Sequence, residues 1–234
     1  MIPENLILSR YARLGGLLYL LIIILGAVGQ LVIRGTVVTP DAASTYQNLL
    51  AEDTRWRVGI GVDLVMHLLD IPLMVILFRL LKRVNKYLAL LGVLFNVIQT
   101  AVLVVNKITL IIPTVLMNNP TYLAAFTEEQ IHAQVYLFAE IHNYGFGLGL
   151  IFFGFACLTY GYLLFKSEYF PKLLGVLVAN AGLCYLINSG VLIAAPQYSG
   201  DVLPVLLFSL IGELSFSLWL IVKGVKTTGS FVSA

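Results

Sequence analysis

Long apolar runs separated by short polar links dominate the chain, and six of them approach the ~20 residues that a bilayer crossing requires. They cover approximately Leu14–Ile33, Val58–Leu81, Tyr87–Leu116, Ala133–Phe165, Leu173–Ala195 and Leu203–Val222. The pattern predicts an all-α fold, a polytopic bundle of six transmembrane helices forming one integral membrane domain over residues 1–234. The third and fourth runs are longer than a bilayer needs, so they are expected to tilt or to project as a helical hairpin. In the first run, Arg10 and Arg13 followed by Ala27-Val28-Gly29 have the form of a signal peptide with a small-x-small cleavage site. We expect a true span there.

The links carry helix punctuation. Thr39-Pro40-Asp41 reads as an N-cap with proline at the first helical position, opening a short amphipathic helix through Ala51. Asn118-Asn119-Pro120 reads as a turn. Thr127 and Gln130 have capping-box spacing and open the fourth span.

Composition agrees with the pattern and narrows the function classes. The chain is 59% hydrophobic and 11% charged, against ~25% charged for a soluble domain, so the lipid bilayer is its first partner. A net charge of +2 with scattered positive residues excludes a nucleic-acid surface. Cys157 and Cys184 both sit in apolar runs and read as small buried side chains rather than a disulfide. The basic residues are unevenly placed. Arg10 and Arg13, then Arg79, Lys82, Arg83 and Lys86, then Lys166 and Lys172, and finally Lys223 and Lys226 flank alternate ends of the runs. By the positive-inside rule both termini are expected in the cytoplasm.

Against this background, Asp63, His67 and Asp70 are conspicuous. Their spacing places them within roughly 60° on one face of a helix. On the third run Asn96, Gln99, Asn106 and Lys107 share an arc of about 100°. A charge at the bilayer centre costs at least ~2.5–3.5 kcal/mol, so each such residue needs a partner or a watery cavity. Counting from the basic anchors gives two layers. Near mid-membrane fall His67, Asp70, Asn96, Gln99, Asn180 and Glu213, with no Lys or Arg among them. Nearer the opposite face fall Gln30, Asp63, Asn106, Lys107 and Asn188, with Glu140, His142 and Asn143 at or beyond the boundary. Lys107 is expected to pair with Asp63 or Glu140.

Three readings compete for the middle layer. Polar side chains can act as glue between helices, at ~0.6 kcal/mol on average for each bond. They can line a binding site or pathway for an ion, a proton or a small polar molecule. They can also serve an intramembrane lipid-modifying or metal-dependent hydrolase, since His67, Asp70, Glu213 and Asp63 are zinc-ligand types. No HExxH and no G-x-S-x-G supports that last reading. Haem held by His67 and His142 faces a mismatch in depth. Gly145, Gly147, Gly149 and Gly154 read as close helix contacts, Trp56 and Trp219 as interfacial side chains, and His132 as solvated. The runs Leu90-Leu-Gly92-Val-Leu94 and Leu173-Leu-Gly175-Val-Leu177 echo each other, as an old duplication of two helical hairpins would.

The C-terminal half carries a resemblance. Phe152-Phe-Gly154, Tyr160-Gly-Tyr162-Leu-Leu-Phe-Lys-Ser167, Pro171-Lys-Leu-Leu-Gly175-Val-Leu177, Gly182-Leu-Cys-Tyr185 and Gly212-Glu213-Leu-Ser-Phe-Ser-Leu-Trp219-Leu-Ile-Val-Lys223-Gly224 together resemble the bacterial membrane family called domain of unknown function 4386. Gly16-Leu-Leu-Tyr19 and the Asp41 to Arg57 segment fit the same pattern. The resemblance implies a six-span bacterial inner-membrane protein and places Gly212-Glu213 in a family motif. It assigns no activity, and the Asp63/His67/Asp70 stripe matches no hallmark of the family. The expectation is therefore a membrane protein that binds or conducts a small polar ligand, ion or proton at a centre built from Asp63, His67, Asp70, Asn96, Gln99, Asn180 and Glu213. Lys107, Glu140 and His142 form an outer polar layer.

Overall fold

The computed structural model describes residues 4–225, with the side chains of residues 4 and 5 excluded. Lys226, counted above with the basic flank, lies outside the described residues. The described chain is helical almost throughout and contains no strand.

Helix α1, Glu4–Ala27, runs on without a break into a π-helix, Val28–Arg34, and a last turn, Gly35–Val37. A short α2, Ala42–Ala51, leads to α3, Asp53–Leu81. The third span is α4, Lys86–Asn106, continued by α5, Ile108–Asn118. Between them, Lys107 N–H bonds to the Val104 carbonyl at 3.1 Å, a tightened three-residue turn. Then come α6, Pro120–Ala125, and α7, Glu128–Lys166, followed by α8, Lys172–Ala194, and α9, Val205–Val222. Six continuous stretches are long and apolar enough to cross a membrane: Leu6–Val37, Asp53–Leu81, Lys86–Asn118, Glu128–Lys166, Lys172–Ala194 and Val205–Val222. Many large apolar side chains on their outer faces, such as Leu68, Val75 and Leu173, are exposed as lipid contact requires.

The caps follow the sequence with one shift. Asp41, not Thr39, caps α2, its carboxylate accepting the Ser44 N–H at 2.7 Å. Thr39 turns inward instead and hydrogen-bonds Thr45. Asn119 caps α6 with Pro120 at its first position. The capping box between Thr127 and Gln130 forms in both directions.

In lipid, apolar burial contributes little between helices, so close approach and polar contacts decide the packing. The tightest approach is α7 on α8. Gly154 faces Gly182 and Gly161 faces Gly175, at the same seven-residue spacing on two antiparallel helices. A Cβ on Gly161 would come within 2.7 Å of the Gly175 carbonyl oxygen, and one on Gly182 within 2.6 Å of that of Gly154. Gly145 and Gly149 turn the other way, toward Asn106 and Leu103 of α4. Both glycines of the echoed runs face α7, since Gly92 packs on Tyr160 and Gly175 on Gly161.

The core divides in two. One cluster gathers Leu8, Leu81, Phe170 and Val225, and so brings both described chain ends and two links to one end of the bundle. That end holds Arg10, Arg13, Arg79, Lys82, Arg83, Lys86, Lys166, Lys172 and Lys223, with Arg79 stacked over Tyr11 at 4.4 Å. The second cluster, Val37, Leu49, Trp56, Ile60, Leu110, Leu116, Met117, Ile131 and Val135, forms a cap at the opposite end. The 39 residues of α7 extend roughly 58 Å at ~1.5 Å per residue, well beyond the ~30 Å hydrocarbon core. The cap is the projecting hairpin with α2 folded against it. Trp56 is therefore not interfacial: it is 2% exposed in the cap core, and its indole N–H donates to the Leu110 carbonyl at 2.9 Å. His132 is not simply solvated either, since its ring packs against Tyr46 with centroids 4.4 Å apart.

Candidate functional site

The two irregular turns supply the outer layer. The widened π-turn directs Arg34 inward, and the tightened turn directs Lys107 inward from the facing span. Both reach Asp63, which is fully buried. Arg34 Nη1 lies 2.5 Å and Lys107 Nζ 2.7 Å from Asp63 Oδ2. Arg34 Nε also donates to Gln30 Oε1 at 3.0 Å. Gly29 supports this arrangement, because a Cβ there would overlap Asp63 Oδ1. The expected Lys107–Asp63 pair is present, and sequence reasoning missed Arg34. Asp63 is thus held between two cations and does not join the middle layer, although it shares a helical stripe with His67. Glu140 is exposed on α7 and takes no part in the cluster. His142 is buried beside α4, where Asn106 Nδ2 donates to the His142 carbonyl at 2.9 Å and Thr109 Oγ1 is 3.2 Å from Nδ1.

In the middle layer α3 and α4 form one hydrogen-bonded chain. Asp70 Oδ2 is 3.3 Å from His67 Nδ1 and accepts from Thr100 Oγ1 at 3.2 Å. Asn96 Nδ2 donates to Gln99 Oε1 at 3.0 Å. On the other side of the bundle, Glu213 Oε1 accepts from the Tyr185 hydroxyl at 2.9 Å. Two buried polar atoms have no protein partner there, His67 Nε2 and the Tyr160 hydroxyl. Asn180, placed in this layer by depth, is exposed on α8 and points away from it.

These groups face a shared cavity of about 870 Å³, within the range of small-molecule sites. His67, Asp70, Asn96, Gln99, Tyr160, Tyr185, Asn188 and Glu213 all contribute to its wall, as do Arg34 and Lys107 near one end. Apolar residues such as Ile22, Leu150, Phe153 and Leu207 make up much of the rest. Toward the basic end the cavity closes on Leu77, Tyr160 and Phe216, beneath which Leu81, Leu163, Leu164 and Leu220 are packed at 0–1% exposure. At the cap end it reaches Ser199, Gly200 and Leu203. Among the described residues no three His, Cys, Asp or Glu side chains converge as metal ligands. The donor set therefore does not favour a metal-dependent hydrolase. His67 and His142 lie in separate layers, and His142 is not on the cavity wall. Cys157 and Cys184 are free and buried.

An uncharacterized protein from Archaeoglobus fulgidus is 28% identical over 169 residues, covering 71% of this chain and 83% of its own. No solved structure matches the chain. The family model described as domain of unknown function, DUF4386, matches residues 14–224, with all six spans falling at least in part within it. The chain is a multi-pass membrane protein and belongs to the DUF4386 family.

Proposed function

We propose that the protein binds a small ligand with polar groups in the central cavity, at the layer formed by His67, Asp70, Asn96, Gln99 and Glu213. One observation carries the reading. His67 is 2% exposed, its Nδ1 is engaged by Asp70, and its Nε2 lies buried at the cavity wall with no protein partner. A buried polar atom left unpaired costs about 1–3 kcal/mol, and a bound ligand or ordered water removes that cost. The cavity volume exceeds what an ion or proton needs, and its blind floor favours binding over conduction. Packing alone requires no such space. The basic end faces the cytoplasm in this reading, in the cytoplasmic membrane of a bacterium, with the cap on the outer side.

The test is native mass spectrometry from a gentle detergent, comparing the wild type with Asp70→Asn, Glu213→Gln and His67→Gln. Near-isosteric side chains preserve shape, so the expected result is a folded protein with loss of a co-purified or added ligand. A double variant, Asp70→Asn with Glu213→Gln, that keeps both stability and bound mass refutes the proposal.

A further inference from the structure

The cavity has an open side as well as an end. Leu31 on the π-helix and Leu207 on α9 both line it, yet they are 70% and 67% exposed. Near the basic end α1 and α9 are in contact, with Tyr19 edge-on to Phe216 at 6.2 Å and Gly16 against the Ser217 carbonyl. Toward the cap they part company. The π-helix packs on α3, whereas α9 stays with α8. The slot between them lies on the outer surface of spans one and six, at a level where apolar side chains face lipid. Its lips are hydrophobic. Its inner end is cationic, because Arg34 and Lys107 share the single carboxylate of Asp63 and both line the cavity.

Depth supports the same assignment. Arg34 stands twenty-one residues beyond Arg13, as Lys107 does beyond Lys86. That is roughly 32 Å from the basic anchors at ~1.5 Å per residue, the level of the opposite headgroups. Below it, Leu206, Leu207 and Leu210 of α9 and Leu150 and Phe153 of α7 offer a continuous apolar wall.

We infer that the ligand is an anionic single-chain amphiphile that enters sideways from the outer leaflet between α1 and α9. Its carboxylate or phosphate is held by Arg34 and Lys107, and its chain lies along α9. This inference rests on the reading of the cavity as a ligand site; it places the head one layer outward of His67 and Asp70 and leaves His67 Nε2 to ordered water beside the chain.

A photoactivatable fatty acid with a diazirine in its chain tests it, using the full chain in phosphatidylcholine nanodiscs. The expected result is saturable labelling that maps to cavity residues of α7 and α9. Oleate should compete at about tenfold lower concentration than oleyl alcohol, the ratio expected for a lost charge-assisted hydrogen bond. Leu207→Trp fills the slot from an exposed position, where misfolding is not at issue, and should abolish most labelling. Lys107→Gln keeps the Arg34–Asp63 pair and should narrow the preference for acid over alcohol. Stronger competition by lysophosphatidate than by oleate supports the inference with a lipid phosphate as the head. Equal competition by acid and alcohol overturns it, and so does labelling spread over the lipid surface and indifferent to Leu207→Trp. A water-soluble ligand that depends on Asp70 and Glu213 but not on Leu207 overturns it too, while leaving the cavity reading intact.

Discussion

Asp63 and Lys107, forty-four positions apart in the chain, meet at 2.7 Å inside the bundle, and Arg34 shares the same carboxylate oxygen. Removing the shared anion leaves two cations buried together. Removing one cation leaves a complete pair. Asp63→Asn is therefore expected to destabilise by about 3–5 kcal/mol, the cost of an uncompensated buried charge. Lys107→Met should cost clearly less. Unfolding of both variants in detergent measures the difference, and equal effects would mean that water reaches the cluster.

The glycine contacts of α7 and α8 predict a sharp positional contrast. Gly161→Val and Gly175→Val place a side chain against backbone atoms that cannot yield, at a cost of about 3 kcal/mol or more. Gly190 on the same α8 has open space for 4 Å around the point where a Cβ would sit, so Gly190→Ala should stay within about 0.5 kcal/mol of wild type. Melting temperatures in one detergent suffice.

Trp56 and Trp219 are the two tryptophans, which permits a direct optical test of the cap. In a Trp219→Phe variant the emission should be blue-shifted and insensitive to aqueous iodide, because Trp56 is buried among Leu110, Met117 and Ile131. Trp56→Phe removes the indole hydrogen bond to the Leu110 carbonyl and should cost about 0.5–1.5 kcal/mol.

Asp41 gives the cap a pH dependence. Its hydrogen bonds with Ser44 hold its carboxyl below the usual carboxylate range. A depressed folded-state pKa means that the cap's contribution is complete above about pH 4, the unfolded value, and is lost as pH falls through the lower folded value. Amide protection at Ser44 should fall with acidification in that window. In Asp41→Ala it should be low at every pH.

Orientation is open to a labelling experiment. With Cys157 and Cys184 replaced by serine, a cysteine at Gly200 should react with a membrane-impermeant maleimide added outside intact cells. A cysteine at Lys82 should react only after the cells are opened. The reverse pattern would overturn the cytoplasmic assignment of the basic end.

The six spans were legible because apolar length is a strong signal, and the Lys107–Asp63 pair because an isolated lysine in lipid has few options. Arg34 was not legible. It follows Ile33 and reads as the first residue of a loop, whereas the π-helix and a last α-turn carry the span on to Val37, and a π-turn leaves no composition mark. Asn180 was misplaced although the sequence held the correction. Leu173, Val176, Leu183 and Ile187 share its exposed face, while Gly175, Ala181, Gly182 and Cys184 are buried. In membrane helices the small residues face neighbouring helices, and that pattern outweighs depth. Trp56 was misjudged because α2 and the ends of four spans close a second hydrophobic core around it, which span counting does not anticipate.

The π-helix between Val28 and Arg34 makes the first span tolerant of shortening in a way its other turns are not. A π-turn behaves as a helix holding one surplus residue. Deleting a single residue within it leaves ordinary α-helix with the flanking residues near their present register, whereas a deletion in any other turn rotates the remainder of the span by about 100°. After a deletion in α1, Arg34 would leave Asp63 and Leu31 would leave the mouth of the slot together. The register of one turn thus links the charge cluster to the cavity opening, so that neither can shift alone.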